Sequence, residues 1–235
     1  MGQCPDELKI AKIIPIFKSE DKLLINNYCP ISILLLYSKI LEGLMYNRLL
    51  KYLTLNKILV ENQFGFRQQH STYMALLKLV NDITEELDKG NCSIEIFIDL
   101  SKAFDTVYHK LLLRKMEHCS IRGNAVLWFT IYLSYRTQYV SLNHTNSENL
   151  PVTCGILQGS ILGPLLFILF INDIVNASKI AEIIMFADNT TLFFKHKELS
   201  VLYTTINVEL AKISQWFKLS KLSLNIKNQP HCLSK

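Results

Sequence analysis

The chain has 235 residues, of which 49% are hydrophobic and 19% are charged, and its formal net charge is +5. This length is enough for one large domain or two small ones, and the apolar content excludes an intrinsically disordered chain. The net charge is compatible with a polyanionic partner but does not require one.

The six cysteines are scattered along the chain, with no Cys-x-x-Cys pair and no histidine at zinc-binding spacing. Residues 1–6 have neither the basic nor the apolar region of a signal peptide. Together these features predict an intracellular, non-secreted protein whose thiols are in a reducing environment. The apolar run at 161–171 is shorter than the roughly 20 residues of a bilayer span, so it predicts a buried helix and no membrane partner.

The first part of the chain predicts one strand and two helices. Residues 9–18 alternate apolar and basic positions, which indicates a strand. Apolar residues then recur at helical spacing over 40–53, with Ser38 as the expected N-cap. Ser71 is the expected N-cap of the second helix, which ends at Gly90. The predicted apolar face of this second helix consists of Leu76, Leu77, Val80, Ile83 and Leu87.

The middle of the chain predicts two strands with helices between them. Apolar and polar residues alternate over 92–100, and Asp99 closes this strand. Helical spacing returns at 110–118 and at 126–133. A further strand is predicted at 136–142.

Near the end of the chain, Asp188 and Asn189 lie between two apolar runs, at 180–186 and 190–194. This pattern predicts a β-hairpin with the polar pair at its tip. On its own, the pattern favours an ordinary turn over a metal site, because Asp and Asn both tolerate turn geometry. A short strand at 222–226 is also predicted. Before it lies an amphipathic helix, whose inner stripe consists of Leu202, Ile206, Leu210, Ile213 and Phe217.

Asp99 and Asp188 each stand at the end of an apolar strand, and a strand-terminal cap explains either residue alone. If the two strands are neighbours in an antiparallel sheet, the carboxylates converge on one edge of that sheet. Such oxygen ligands suit Mg²⁺, and a pair of these ions can activate a 3′-hydroxyl and stabilise a leaving pyrophosphate. Two features favour the paired site: the aromatic Phe104 follows Asp99 closely, and Gln158 is flanked by glycines whose backbone can approach a ligand.

Seven segments along residues 9–228 give the chain a family resemblance. In these segments it resembles the reverse transcriptases of non-long-terminal-repeat (LINE-type) retrotransposons, particularly the jockey and chicken-repeat-like groups. The resemblance implies an RNA-directed DNA polymerase, which extends a DNA primer on an RNA template with deoxynucleoside triphosphates and Mg²⁺. The segments are KIIPIFK (12–18), NNYCPIS (26–32), ENQFGFRQQHST (61–72), FIDLSKAFDTV (97–107), GILQGSILGPLLFILFIND (155–173), MFADNTTLF (185–193) and KLSLNIK (221–227).

The resemblance also implies a fold and its boundaries. The implied fold is an α/β (α+β) right-hand polymerase with helical fingers and an antiparallel-sheet palm, and both the thumb and the endonuclease domain of intact elements are expected to be absent. The implied boundaries are a reverse transcriptase domain at 9–228, fingers at about 9–92 and 112–150, a palm at about 93–111 and 151–228, and short tails at 1–8 and 229–235.

The family motifs imply site residues position by position. Asp99 and Asp188 match the catalytic carboxylates, and the carbonyl of Leu100 is expected beside the metal. Asn189 occupies the position of the second aspartate in the hairpin pair, which makes this catalytic position degenerate. The substrate-binding positions are Lys18 for the triphosphate, Phe104 as the steric gate at the sugar 2′ position, Gln158 and Gly159 in the loop against the incoming nucleotide, and the degenerate Cys29.

Three other polar residues have less specific interpretations. Asp105 is expected to cap the helix that follows it. Arg67 is equally compatible with a contact to nucleic-acid phosphate and with pinning its own loop. His109 is expected to be an ordinary surface or core residue.

The chain departs from the family pattern at two charged positions. Asn189 replaces an aspartate and keeps its size but not its charge, on which metal affinity depends. Cys29 replaces an arginine that would pair with the triphosphate, and a thiol supplies neither the charge nor the donors. Ile156 and Leu157 stand where Val-Pro is usual, and Tyr108 where Asp is common. We therefore predict that polymerase activity is strongly reduced or absent. The alternatives are a catalytically dead remnant that binds nucleic acid or protein, and a fragment that does not fold stably.

Overall fold

The computed structural model describes residues 5–18, 21–143, 145–225 and 233–234. Within these residues the chain divides into two compact units. Each unit combines a β-sheet with helices, which agrees with the mixed α/β class predicted from the sequence. The first unit comprises the residues up to Ile58 and Phe104–Phe167, and the second comprises Leu59–Ala103 and the residues from Ile168 onward.

The first unit is built on a five-stranded sheet. Its strands are β1 (Ile10–Phe17), β2 (Tyr28–Ile33), β5 (Thr137–Leu142), β6 (Thr145–Asn146) and β7 (Leu150–Pro151). β1 lies in the middle, antiparallel to β2 and parallel to β5, and the two short strands both pair with β5. The helices of this unit are α1 (Leu36–Leu55), α3 (His109–His118) and α4 (Asn124–Leu133).

The second unit contains a four-stranded antiparallel sheet and a separate two-stranded ladder. The sheet consists of β11 (Leu233–Ser234), β3 (Cys92–Ile98), β9 (Asn189–His196) and β8 (Glu182–Phe186), in that order. The ladder pairs β4 (Leu100–Ser101) with β10 (Ser223–Leu224). The antiparallel sheet predicted for the aspartate-bearing strands is therefore present. The helices of this unit are α2 (Thr72–Asp88) and α6 (Leu199–Leu219).

Helix α5 (Gly163–Ile171) confirms that the most apolar run of the sequence forms a buried helix. From Leu165 to Ile171, no side chain is more than 2% exposed. Across the described residues, none of the helices is both long enough and apolar enough to cross a membrane.

The predicted helix ends and the last strand agree with the structure only in part. Ser71 caps α2 as predicted, because its side chain accepts a hydrogen bond from the backbone N–H of Met74. Ser38 is not a cap but lies buried inside α1, because the chain enters the helix directly after Leu35. Of the predicted strand at 222–226, β10 covers two residues, and residue 226 lies outside the described part of the chain.

Helix α2 buries one edge of its apolar face, and of the predicted residues Ile83 lies on that edge. Its packed stripe includes Ala75, Leu79 and Ile83, which lie against apolar residues of β8 and β9. The apolar face of the helix is broad, and β8 and β9 cover one edge of it. Four residues of the predicted face are exposed: Leu76 (58%), Leu77 (43%), Val80 (48%) and Leu87 (54%). In α6 the predicted stripe is buried except at Leu210, beside which Glu209 is buried instead.

Glu86, near the end of α2, is a buried acid that joins this helix to the sheet. Its side chain is 4% exposed, and its Oε1 lies 2.9 Å from Lys195 Nζ and 3.1 Å from Lys89 Nζ. Its Oε2 accepts a hydrogen bond from Asn91 Nδ2 at 2.7 Å. These donors, Lys195 first, lower the pKa of Glu86 to about 2, so the ionised form stabilises the folded unit.

We expect the stabilisation by Glu86 to be lost in acid. Because its pKa is lower in the folded chain than its ordinary value of 4.5, the contribution is complete above about pH 4.5 and disappears as the pH falls toward 2. Glu86→Gln should therefore lower the urea unfolding midpoint at pH 7 and match the parent chain near pH 2. The exposed Glu117→Gln serves as the control and should change neither midpoint. An equal deficit of Glu86→Gln at both pH values would contradict this assignment.

Candidate active site

The two aspartate-bearing strands are neighbours in the sheet of the second unit. β3 and β9 pair antiparallel, and at the C-terminal end of β3 Ile98 lies opposite Thr190. Extending this register by one residue sets Asp99 opposite Asn189. Asp188 directly precedes Asn189, so both carboxylates arrive at one edge of one sheet. We call Asp99, Leu100, Asp188 and Asn189 the carboxylate edge.

The hairpin is present, but its tip lies one residue earlier than predicted. β8 and β9 pair as far as Phe186 with Asn189, which leaves Ala187 and Asp188 as the two turn residues. Ala187 adopts a φ of 56°, in the left-handed region typical of two-residue hairpin loops. Asn189 is the first residue of β9 and is exposed, while Asp188 is half-buried. The alternation along β9 places Thr190 on the buried face and so sets this register.

A segment before α2 supports the back of the hairpin. The backbone of Met185 is bonded on both sides, to the carbonyl of Asn62 at 2.8 Å and to the N–H of Phe64 at 2.8 Å. Gln63 is 1% exposed, and its Oε1 accepts the N–H groups of Gly65 (2.7 Å) and Ala187 (3.2 Å). A Cβ on Gly65 would lie 1.9 Å from the backbone nitrogen of Ala187. Sequence reasoning did not single out either Gln63 or Gly65, although both lie in a family segment.

Asp99 is oriented by a residue that sequence reasoning also missed. The side-chain amide of Asn225 donates to Asp99 Oδ2 at 2.9 Å. The backbone N–H of Asn225 donates to the carbonyl of Asp99, also at 2.9 Å. The β4–β10 ladder beside them pairs Leu100 with Leu224 and holds this contact in place. The Asp99 carboxylate is therefore a positioned group.

The donor atoms of the carboxylate edge fit a divalent cation. Asp99 and Asp188 offer carboxylate oxygens and Leu100 offers a carbonyl, and these are the hard ligands that Mg²⁺ takes alongside water and phosphate. Among the described residues, no group of three or more His, Cys, Asp and Glu side chains is placed to hold a metal by itself. A cation here would complete its shell from other oxygens, as Mg²⁺ does with substrate phosphates.

The predicted substrate-binding residues lie in the first unit, where a loop brings several of them together. We call residues 155–161 the glutamine loop. Gln158 Nε2 donates to Asp105 Oδ1 at 3.0 Å, and its Oε1 lies 3.2 Å from the Cys29 thiol sulfur. The carbonyl of Gln158 accepts the N–H of Ser32 at 2.7 Å. Gly159 has a φ of 112°, and a Cβ there would lie 2.5 Å from the Ser32 carbonyl, so this position requires glycine.

Phe104 and Lys18 occupy separate places in the same unit. The Phe104 ring stacks on Phe167, with centroids 4.6 Å apart and planes at 19°. Its carbonyl accepts the N–H of Ile156 at 2.7 Å, which links it to the glutamine loop. Lys18 follows β1 directly and is exposed, and its N–H bonds the carbonyl of Asn27.

One interpretation of a polar residue is wrong, and for another the structure agrees with one of the two alternatives. Asp105 does not cap a helix: α3 begins after Tyr108, which makes no capping bond, and the Asp105 carboxylate holds Gln158 instead. Arg67 pins its own loop, because its Nη1 donates to the carbonyls of Val60 (2.7 Å) and Gln63 (3.2 Å). Partial burial lowers the pKa of Arg67 from its ordinary value.

Comparison with known proteins agrees with this geometry. The chain is 31% identical over 233 residues to the RNA-directed DNA polymerase from mobile element jockey of Drosophila melanogaster, covering 96% of this chain and 25% of that protein. It is 30% identical over 232 residues to the probable RNA-directed DNA polymerase from transposon BS of the same species, covering 94% and 25%. The chain thus spans about a quarter of the length of these relatives.

The fold also matches a solved polymerase structure. The structure of telomerase from Candida tropicalis with a fragment of telomeric RNA superposes with a TM-score of 0.68 at 12% sequence identity. The match covers 99% of this chain and 42% of that one, and it confirms the predicted right-hand polymerase fold. Residues 16–228 match the profile described as reverse transcriptase (RNA-dependent DNA polymerase). The chain therefore belongs to the reverse transcriptase family, as its resemblance to non-long-terminal-repeat retrotransposon proteins indicated.

Proposed function

We propose that this chain catalyses RNA-templated DNA synthesis, adding deoxynucleotides to the 3′-hydroxyl of a DNA primer. The observation that carries this proposal is the carboxylate edge, where Asp99 and Asp188 stand together at the ends of paired strands in a member of the reverse transcriptase family. The RNA template, the primer and the deoxynucleoside triphosphates are the proposed partners. The fingers and palm boundaries stay predictions.

We propose that Asp99, Asp188 and the Leu100 carbonyl hold Mg²⁺. A cation held by these oxygens would supply Lewis-acid chemistry, activating a hydroxyl nucleophile and stabilising the charge that develops on a leaving pyrophosphate. Asn225 keeps the Asp99 carboxylate in a fixed orientation through its amide. Preorganised ligands of this kind avoid reorganisation during the reaction, which is the general origin of electrostatic catalysis.

The residues of the first unit are proposed to select and hold the nucleotide. Gln158 and Gly159 present a loop whose backbone is fixed by Ser32 and whose side chain is fixed by Asp105. Phe104, stacked on Phe167, is a rigid ring suited to exclude a 2′-hydroxyl. Lys18 is exposed and offers a cation for the triphosphate.

A catalytically dead remnant that still binds nucleic acid is the second candidate function. Two observations favour it. Asn189 adds no charge to the carboxylate edge, and Cys29 places a weak thiol donor on Gln158 where the family pattern has an arginine. We therefore expect slow synthesis at best, with binding of the template–primer duplex retained.

Primer extension on an RNA template tests the proposal. We expect slow extension that requires Mg²⁺ and is abolished in Asp188→Asn, which keeps the side-chain size and removes the charge. The exposed Asn146→Asp, in β6 of the first unit, is the control for a change of charge alone and should extend at the parental rate. Extension that persists unchanged in Asp188→Asn would overturn the proposal. Duplex binding without any extension would establish the remnant instead.

A further inference from the structure

Helix α1 carries a buried carboxylate that none of the functions above uses. Glu42 is 1% exposed, and both of its oxygens accept hydrogen bonds. Its Oε1 accepts the hydroxyl of Tyr132, in α4, at 2.6 Å. Its Oε2 accepts the backbone N–H of Ile161 at 2.8 Å. A buried carboxylate is costly unless such donors satisfy it, so these two bonds are the reason that Glu42 is tolerated here.

Tyr132 is the buried partner of Glu42, and its hydroxyl also bonds the side chain of Ser160. Its side chain is 4% exposed, and the Arg136 guanidinium lies 4.8 Å from its ring centroid. Burial, and then the charge of Glu42, raise the pKa of Tyr132 well above its ordinary value. The hydroxyl therefore keeps its proton and remains the donor in its bond to Glu42.

Ile161 is the last residue of the glutamine loop, three positions after Gln158. The first end of the loop is held by backbone bonds, from Gly155 N–H to the Val107 carbonyl at 2.8 Å and from Ile156 N–H to the Phe104 carbonyl at 2.7 Å. His109 Nε2 also lies 2.7 Å from the carbonyl of Gly155. The bond to Glu42 ties the other end of the loop to a helix far away in sequence.

We propose that Glu42 is a positioning residue that fixes the glutamine loop for the incoming nucleotide, by holding the N–H of Ile161. The effect of Glu42 on nucleotide binding rests on the proposed function, whereas its effect on the conformation of the glutamine loop does not. Hydrogen bonds to a charged acceptor are among the stronger ones. Glu42 Oε2 accepts such a bond from the backbone N–H of Ile161, which lies in the glutamine loop. Glutamine should be able to replace this glutamate. Its amide oxygen can accept from Ile161 and its NH₂ can donate to the Tyr132 hydroxyl, which accepts as well as donates.

Variants of the full chain separate the loop from the core. Glu42→Leu removes both bonds at similar volume, and Glu42→Gln keeps them. Tyr132→Phe removes the hydroxyl, with its bonds to Glu42 and to Ser160, and keeps the bond from Ile161 to Glu42. Hydrogen exchange of peptides covering 155–163 is measured without nucleotide, and the affinity for dTTP is measured on an RNA–DNA template–primer. We expect Glu42→Leu to speed exchange in the loop and to weaken dTTP binding, each by roughly tenfold. Glu42→Gln should stay within about twofold of the parent, and Tyr132→Phe should loosen the loop less than Glu42→Leu does.

The double variant Glu42→Leu/Tyr132→Phe keeps the test decisive if Glu42→Leu alone does not fold. Replacing a buried polar pair by apolar residues is often neutral for stability, and this double variant differs from Tyr132→Phe only in the bond to Ile161 and its acceptor. Equal loop exchange in these two chains would overturn the proposal. So would a loop that loosens as much in Tyr132→Phe as in Glu42→Leu. Failure of the parent chain to bind dTTP would refute the nucleotide role and the proposed function together, and loop exchange would still decide whether Glu42 anchors the loop.

Discussion

Replacing Asn189 with aspartate is expected to raise the rate of primer extension by about 10–100-fold, the range in which residues around a metal site commonly act. The register sets position 189 opposite Asp99 and next to Asp188, so the new carboxylate joins the carboxylate edge. Asn189 is exposed and aspartate has the same size, so the fold should not change. The added charge should also lower the Mg²⁺ concentration that gives half of the maximal rate.

Cys29→Arg restores the other charge that the family pattern has, and it is compared with Asn189→Asp. Because its thiol lies against Gln158 in the first unit, Cys29→Arg should act on nucleotide affinity and lower the KM for the triphosphate. Asn189→Asp should instead act on the maximal rate and the metal requirement. The double variant should combine both effects. A parent chain that extends primers as fast as Asn189→Asp would show that the missing charge does not limit activity.

Replacing Gly65 with alanine is expected to destabilise the second unit by about 3 kcal/mol, at the upper end of the usual cost of overpacking. The new Cβ would lie 1.9 Å from the backbone nitrogen of Ala187 and 2.6 Å from its Cα, and backbone atoms cannot turn aside as a side chain can. The hairpin must therefore move, and Asp188 moves with it. Urea denaturation measures the loss, and primer extension should fall by more than the loss of folded protein explains.

Gly43 in α1 is the control for this substitution. No heavy atom lies within 4 Å of a Cβ placed there, so alanine fits without contact. Gly43→Ala should stabilise the chain by up to about 1 kcal/mol, because alanine is the better helix former. If Gly65→Ala were as stable as the parent chain, the close contact between Gly65 and the backbone of Ala187 would not constrain the hairpin.

The paired carboxylates could be predicted because local patterns report strands well. Strict alternation before Asp99 and apolar runs around Asp188 define two strands. Because side chains alternate between the two faces of a strand, few pairings of these strands bury the apolar residues. The turn was misplaced by one residue because Asp and Asn suit a tip on their own, whereas the buried face of Thr190 decides the register. Contacts with residues distant in sequence, such as the bond from the Ala187 N–H to Gln63, hold Ala187 in its left-handed conformation.

The partners that hold the site could not be predicted, because they come from distant parts of the sequence. Asp105 and Gln158 are 53 positions apart, and Gln63 and Ala187 are 124 apart. No local periodicity links such pairs, so Asp105 looked like a helix cap. The packed stripe of helix α2 was predicted wrongly for a related reason: its apolar face is broad, and contact with the sheet decides which part of that face is buried.

The two-residue turn at Ala187 and Asp188 determines which mutations of the hairpin are compatible with folding. An insertion or deletion there would exchange the inner and outer faces of β9, so folding itself selects against a change of length. An exchange of aspartate for asparagine at the exposed position 189 meets no such barrier, since it alters neither size nor register. Substitution at position 189 can therefore remove a charge from this hairpin while its length and its strand register stay the same.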